Sequence, residues 1–375
     1  MATPAHPSVM RAWVHSRAGT PTTVLSLSPT HPTPTLTSPA SVLVRVSHAA
    51  LNPGGSIMMQ LCPSILRSFP AVPELDFSGT VVAAGDSIPE AQRDELQPGA
   101  AVFGSVPVGL HLRAGTGALA EYVVVPSDSV CAMPRNMSFE EAAGLGVAGS
   151  TALCLVEAMR LGRGNKVLIN GASGGIGTMV VQLVRKAVGE SGMIVGVCSG
   201  RNAEMVRGLG ADEIVDYTTF TKEAPLHGYL QRHHSQSCFD AVVDCRGVQE
   251  LYAHCTGYLK DGKPFVTVGP APEEYTISGM LYTLLLMLRN AVGSALPMWL
   301  GGVGRKYLQV NGLVDSESLR KLRGKVEEDG MKVVVDGCWR MEDAVMAYEP
   351  ILSKRARGKV IVKVQDPSEK LEFGD

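Results

Sequence analysis

The sequence lacks several things, and each absence closes off a class of function. No apolar run reaches the roughly 18 residues expected of a membrane span. The apolar run that ends at Leu288, within ISGMLYTLLLMLRNAVGSALPMWLGGVG at 277–304, is interrupted by Arg289 and Asn290, and Pro297 follows. Charge is scarce, at 19% of residues, and nearly balanced, with a formal net charge of −2. That balance gives no electrostatic reason to expect nucleic acid or an anionic membrane as the main partner. The eight cysteines form no C-x-x-C pair, and some, such as Cys154 and Cys198, lie inside apolar runs. They read as reduced, mostly buried thiols of an intracellular protein. The opening MATPAHPSVMRAW is neither a secretory leader nor an Arg-rich presequence, so the cytoplasm is the expected compartment.

What is present is a chain of 375 residues with 45% hydrophobic content, enough for two domains. Up to about residue 145 the chain reads as short strands punctuated by Gly and Pro. Residues 12–30 suggest a strand, a turn at Arg17–Thr23 and a second strand. A Pro/Thr-rich loop at 29–39 follows, and then SVLVRVSHAALN, FSGTVVAAG, AAVFGSV and EYVVVPSDSV. Ser138, with Glu141 three residues on, opens a helical pattern through SFEEAAGLGVAGSTALCLVEAMR. From Lys166 short β-branched strands alternate with helices, the grammar of a doubly wound parallel sheet. The apolar segment 277–304 is read as a buried or interface helix, with peripheral membrane contact as the second reading. KYLQV is the last strand of this region, and KVVVDGCWRMEDAVMAYEPILSKRARGKVIVKV returns to the first grammar.

The motif with the most chemistry is KVLINGASGGIGTMVVQLV. A strand runs through Gly171 into Ala172-x-Gly174-x-x-Gly177 and then into a helix. This is the dinucleotide fingerprint with Ala at the first glycine position. Ala172, Ser173, Gly174, Gly175, Ile176 and Gly177 form the expected cradle. A Cβ at Gly174 would obstruct a pyrophosphate, and Gly177 lets the helix pack on the sheet. The helix N-terminus offers N–H groups to the phosphates. At the end of the second strand, where NAD enzymes usually carry an acid, the chain reads Cys198-Ser199-Gly200-Arg201-Asn202. No carboxylate there repels a 2′-phosphate, and Ser199 and Arg201 can bind one, so the expected cofactor is NADPH. The bland reading of Arg201 is a solvated charge capping the next helix.

The order of a β-rich domain, a nucleotide domain and a returning tail resembles the medium-chain dehydrogenase/reductase superfamily. The resemblance rests on AALNP at 49–53, ELDFSGTVVAAG at 74–85, GALAEYVVVP at 117–126, VLINGASGGIG at 167–177, LGADEIVDY at 209–217 and ARGKVIVKV at 356–364. It is closest to the quinone oxidoreductase-like and enoyl reductase-like branch, and WLGGVGRKY is similar to zinc-free members from filamentous fungi, many in secondary metabolism. It implies an α/β fold, a Rossmann domain over 145–311 and a GroES-like domain built from 1–144 and 312–375.

The resemblance also bears on metals. Zinc members carry a Cys where this chain has Asn52, a His at Leu75 and a Cys at Val147, and none of these replaces a zinc ligand. Their structural zinc loop carries four cysteines, whereas residues 63–130 here contain none. The expectation is therefore no metal. Without a Lewis acid, an activated C=C or a quinone is the easier hydride acceptor, and a zinc-free alcohol or ketone dehydrogenase is the alternative. A non-catalytic, membrane-associated family member is a third reading, favoured by 277–304.

Further site residues follow from the resemblance. Asn52 matches the family's cleft Asn, and Thr151 its nicotinamide-contacting Thr. Tyr217 matches a tyrosine near the adenosine ribose, with Lys222 a weaker candidate beside it. Asp244 matches an aspartate facing the cofactor. Their bland readings are a turn residue, a helix residue, an exposed strand-end tyrosine and a helix cap. Related reductases often read N-P-x-D, whereas this chain reads Asn52-Pro53-Gly54-Gly55. No proton donor is identified. His233-His234 looks like a metal pair but reads as part of a solvated loop. The expected partners are a small apolar substrate and a second copy of the chain, through KYLQV and the apolar segment.

Overall fold

The computed structural model describes residues 6–36, 38–272 and 274–366. Its chain divides into two compact units, Met1–Ser150 with Leu313–Asp375, and Thr151–Gly312.

The first unit opens with an antiparallel pair, β1 (Val9–Val14) and β2 (Ser26–Pro32). The expected Pro/Thr loop therefore starts later than the composition suggests, because Pro29 to Pro32 are taken into this two-stranded edge. The strands β3 (Ser41–Leu51), β4 (Asp76–Ala84), β5 (Ala101–Ser105), β6 (Tyr122–Pro126) and β7 (Val130–Ala132) follow. The strand β3 is the axis of the sheet and is buried on both faces. Val42, Val44, Val46 and Leu51 join Phe77, Val81, Tyr122 and Tyr348 in the main core. The helix expected from Ser138 is two helices, Phe139–Ala143 and Gly146–Met159. Its capping box is present: Ser138 Oγ accepts from Glu141 N at 3.2 Å, and Ser138 N donates to Glu141 Oε2 at 3.0 Å. The interruption at Gly144–Leu145 has a physical reason, since Val147 N donates to the Asp76 carboxylate at 2.9 Å.

The second unit holds β8 (Lys166–Asn170), β9 (Met193–Cys198), β10 (Glu213–Asp216), β11 (Ala241–Asp244), β12 (Pro264–Thr267) and β13 (Lys306–Gln309). They form one parallel sheet in the order β10-β9-β8-β11-β12-β13. This is the doubly wound order, and it reverses between β8 and β11. Ligands of such sheets bind at the carboxyl ends of the strands where the order reverses. The helix Gly175–Val188 buries Met179, Val180, Val181, Leu183 and Val184 against this sheet.

The apolar segment departs from its expected burial. It forms the helix Ile277–Ala295, of which only Thr283 and Asn290 are buried. The polar side faces inward: Asn290 and Gln249 exchange two amide hydrogen bonds of 2.7 Å, and Ser294 Oγ accepts from Tyr307 N at 2.9 Å. Polar anchoring thus sets the rotation of the helix and turns Ile277, Leu281, Leu285, Leu288 and Val292 outward. Trp299, just beyond, is 81% exposed. Among the described residues no helix is long and apolar enough to cross a membrane. His233 and His234 are also placed differently from the expected loop. They end the helix Leu226–His234, and His234 is buried with its Nδ1 3.1 Å from Lys166 Nζ.

The chain returns to the first unit as β14 (Val335–Arg340), the short helix Tyr348–Leu352 and β15 (Lys359–Lys363). The strand β15 pairs antiparallel with β3 and parallel with β14, which completes a sheet ordered β14-β15-β3-β4-β5-β7, with β6 also paired to β3. A GroES-like unit built from both chain ends and a six-stranded Rossmann sheet are therefore both present.

Candidate functional site

In the second unit, the turn after β8 is held from below. Gly171 N and Ala172 N both donate to Val197 O, at 3.1 and 3.0 Å, so β9 fixes the start of the turn. Gly171 takes φ +74°, and Gly174 caps the following helix from an extended conformation. A Cβ at Gly177 would overlap the Gly171 carbonyl oxygen and lie 2.9 Å from Ala172 Cα. Gly177 is thus required for packing. A Cβ at Gly174 would meet nothing closer than Gly171 O at 3.5 Å, so this side of the turn is open. The first N–H groups of the helix have no carbonyl four residues back, which leaves them for an anion.

The same unit brings the end of β9 to the turn. Ser199 is buried, and Asn202 Nδ2 donates to Ser173 Oγ at 3.1 Å, tying the two segments together. Arg201 is exposed in the short turn between them. A carboxylate that the linear sequence placed elsewhere also arrives here. Asp216 ends β10, and a Cβ at Gly200 would lie 3.3 Å from its Cγ. Asp216 accepts from Thr218 N at 2.9 Å and Thr218 Oγ1 at 2.7 Å, and these bonds hold its carboxyl below the usual range. Tyr217 follows it, 48% exposed, and Lys222 lies outside any regular element. Thr151 is buried in the helix Gly146–Met159 with Gly312 against it, where a Cβ would lie 2.6 Å from Thr151 Cα.

Asp244 ends β11 and is buried. Its oxygens accept from Asn170 Nδ2 at 2.8 Å, Arg246 N at 2.9 Å, Gly247 N at 3.0 Å and Val248 N at 2.5 Å. It therefore shapes the loop leading to the helix Gln249–Ala253, and burial raises its carboxyl pKa against the pull of those donors.

In the first unit, Asn52 belongs to a cluster that the sequence reading missed. Its partners are Glu74, Asp76, Lys359 and, one step further, Tyr348. Lys359 Nζ donates to Asn52 Oδ1 at 2.6 Å and lies 3.5 Å from Asp76 Oδ2. Asn52 Nδ2 donates to Asp76 Oδ2 at 2.9 Å, and Asn52 N donates to Glu74 Oε2 at 3.0 Å. Tyr348 OH donates to Glu74 Oε1 at 2.9 Å. The other Asp76 oxygen takes the Val147 N–H, so that amide is already engaged. Burial pushes the Glu74 carboxyl up to about 7 and pulls the Lys359 ammonium down. Glu74 has φ +64°, an unusual backbone for a side chain of its size. A Cβ on Gly55 would come within 2.6 Å of Glu74 Cδ. At position 55, where the resemblance leads one to expect an aspartate, the space is taken by a glutamate carboxylate from the loop before β4. The available signal was two acids in the apolar run PELDFSG and a lysine in GKVIVK, whose burial no local pattern announces.

Residues 209–362 match a family described as zinc-binding dehydrogenase, and residues 38–135 match the alcohol dehydrogenase GroES-like domain. A trans-enoyl reductase of Penicillium oxalicum is 34% identical over 389 residues, covering 96% of this chain and 99% of its own. A medium chain reductase of an Acremonium species is 35% identical, covering 95% and 99%. Among solved structures, a quinone oxidoreductase from Coxiella burnetii superposes with a TM-score of 0.74 at 24% identity, over 95% of this chain and 99% of that one.

Proposed function

The chain belongs to the medium-chain dehydrogenase/reductase superfamily, in its branch of quinone oxidoreductases and trans-enoyl reductases, and from that premise we propose that it is an NADPH-dependent reductase of an activated C=C, as in an enone or enoyl group, or of a quinone, working without zinc. It is an oxidoreductase of a family that uses NAD(P)H. The observation that carries the proposal is the open glycine turn Gly171–Gly177 where the order of the parallel sheet reverses. The space above Gly174 fits a pyrophosphate, with Ala172, Ser173, Gly175 and Ile176 lining the rest of the cradle.

NADPH is preferred in this reading because Ser199 and Arg201 can take the 2′-phosphate, with Tyr217 beside them. Asp216 is the counterweight. Both Thr218 donors go to its Oδ1, while Oδ2 lies against Gly200 and keeps acceptor capacity for a ribose hydroxyl, so the preference rests on Ser199 and Arg201. When bound, the reduced nicotinamide supplies hydride to the β carbon of the substrate. The chain's own residues then have to stabilise charge on the carbonyl oxygen. Asn52 is the proposed donor: one Nδ2 hydrogen goes to Asp76, and the other makes only a 3.5 Å contact with Ala50 O. The reading keeps Thr151 beside the nicotinamide, and it gives Asp244 the indirect task of shaping the loop after β11. Asn52, Leu75 and Val147 stand where zinc enzymes carry ligands, and Asn52 is already bonded to Lys359 and Asp76, so this donor set does not fit a catalytic zinc.

The test is NADPH oxidation with a panel of enones, quinones and aldehydes, with the product identified. A saturated carbonyl product or a hydroquinone supports the reading. An alcohol from an aldehyde or ketone supports the zinc-free alcohol dehydrogenase instead. Turnover that requires added zinc, in metal-free protein that is still folded, refutes zinc independence.

The proposal extends to a homodimer in the cytoplasm. The outward stripe of the helix Ile277–Ala295 adjoins β13, the last strand of the sheet order, and together they offer an apolar face and a free strand edge to a second copy. Sedimentation as a monomer removes this, and flotation with lipid vesicles supports membrane contact in its place.

A further inference from the structure

The face of the first unit's sheet opposite the main core carries a second group of reactive side chains. Ala49 and Leu51 of β3 join the main core, so alternation sends His48 and Ala50 to the other face. Register supplies their neighbours. Ser78 on β4 and Lys363 on β15 both lie opposite His48, and Cys338 on β14 lies opposite Ile361. The helix Phe139–Ala143 covers this face, with Ala143 packed on Ala50 and Ile361. Its first carbonyl, that of Phe139, accepts the Ser78 hydroxyl. This anchors the first helical turn next to His48 and brings Glu140 there. One ring nitrogen of His48, a carboxylate oxygen of Glu140 and Cys338 Sγ all lie within 4.8 Å of one another. The proposed hydride transfer uses none of the three.

We infer that His48, Glu140 and Cys338 form a binding site for a divalent metal of the zinc type, separate from positions 52, 75 and 147. An imidazole nitrogen, a carboxylate oxygen and a thiolate are the mixed donors that suit Zn²⁺ or Co²⁺. With metal–ligand bonds of about 2.0–2.3 Å, tetrahedral ligand atoms stand roughly 3.3–3.7 Å apart. Side-chain rotation therefore has to bring the three together by about 1 Å, and water completes the tetrahedron. His48 Nδ1 shares a hydrogen bond with Ser47 Oγ at 2.9 Å, the kind of outer contact that orients a ligating imidazole. Burial and the Lys363 ammonium lower the imidazole pKa, with Asp366 opposing them. Burial and Glu140 push the Cys338 thiol up to about 11. As the metal–sulfur bond forms, the S–H bond breaks and its proton leaves to solvent, with no change in oxidation state. Lys363 is the opposing charge, and its ion pair with Asp366 offsets it in part. The bound ion would pin the returning strand β14 to β3 and to the covering helix, which makes it a cross-link within a unit assembled from both chain ends.

The experiment uses the full chain, treated with chelator, dialysed and titrated with Co²⁺ under reducing conditions. The expected result is one equivalent bound with a cobalt–thiolate charge-transfer band. Zn²⁺ displaces the cobalt and raises the melting temperature. Cys338→Ser abolishes the band and weakens binding by at least about tenfold, and Glu140→Gln weakens binding while keeping the band. Cys62→Ser leaves both unchanged. The melting temperature of each metal-free variant reports whether it folds, and Glu140→Gln gives an arm independent of the buried strands. Absence of saturable binding, or binding that survives Cys338→Ser in a folded protein, overturns the site. Neither outcome touches the proposed reductase activity, which is read separately.

Discussion

Replacing Gly174 by alanine should separate folding from cofactor binding. Gly174 adopts φ −83° and ψ 174°, which alanine takes without strain, and the added Cβ meets only Gly171 O at 3.5 Å. The folding cost is then the weaker capping preference of alanine, about 0.5–1 kcal/mol, or a few degrees in melting temperature. Binding is another matter. A phosphate oxygen hydrogen-bonded to the helix N-terminus sits about 2.9 Å from its donors, and a methyl carbon holds such an oxygen off by roughly half an ångström more. One or two charge-assisted hydrogen bonds at about 1.5–3 kcal/mol each are lost, which is roughly tenfold for one weak bond and up to about 10⁴-fold for two strong ones in Kd for NADPH. Calorimetric titration with NADPH, beside a thermal melt of the free protein, reads both quantities. Gly177→Ala is the contrast. Its Cβ overlaps the Gly171 carbonyl, and overpacking of this kind costs roughly 1–3 kcal/mol or more before any ligand is added. If Gly174→Ala binds NADPH as tightly as the parent while melting normally, the pyrophosphate does not lie on this turn and the argument from the cradle fails.

Other expectations are as direct. Arg201→Ala should lower catalytic efficiency with NADPH about tenfold or more and leave NADH nearly unchanged; an equal loss with both assigns Arg201 to the fold. Glu74 has its carboxyl raised from 4.5 to about 7, so its contribution to stability is full below about 4.5 and is lost as pH rises through about 7. The stability difference between parent and Glu74→Gln should therefore shift by roughly 3 kcal/mol across that window in favour of the variant. Parallel denaturation profiles at pH 4.5 and 8 would refute this. Leu288→Glu should convert a dimer to a monomer in sedimentation without lowering the melting temperature of the monomer, because Leu288 is exposed in the single chain.

Legibility of the fold and of the site followed the range of the interactions involved. The Rossmann half was readable because its signals are local: β-branched strands, the glycine turn and the helix caps each lie within a few residues. The helix Ile277–Ala295 is legible as a helix, but of the two expectations, buried or at an interface, the single chain excludes burial, because its rotation is set by Asn290 with Gln249 and by Ser294 with Tyr307, partners brought by the tertiary fold. His234 was misplaced for the same reason, since its burial depends on Lys166 and Phe239. Asn52 could be singled out by resemblance, but not the cluster around it. Glu74, Asp76, Tyr348 and Lys359 span 285 positions of chain and meet only because β15 closes onto β3. Asp216 reached Gly200 through the pairing of β10 with β9, which the search near Ser199 could not reveal.

The occupancy of the Gly55 space by Glu74 makes these two positions a single unit of inheritance. An aspartate at position 55 would bring its Cβ to 2.6 Å from Glu74 Cδ, so it enters only if the buried glutamate carboxyl gives way. Glycine in place of Glu74 suits φ +64° and empties the space, but it leaves the buried Asn52 N–H and Tyr348 OH without their acceptor. Placing an aspartate at position 55 is therefore a matter for both positions together. Gly55→Asp alone displaces the Glu74 carboxyl from its bonds, whereas the same aspartate meets an empty space once Glu74→Gly is in place.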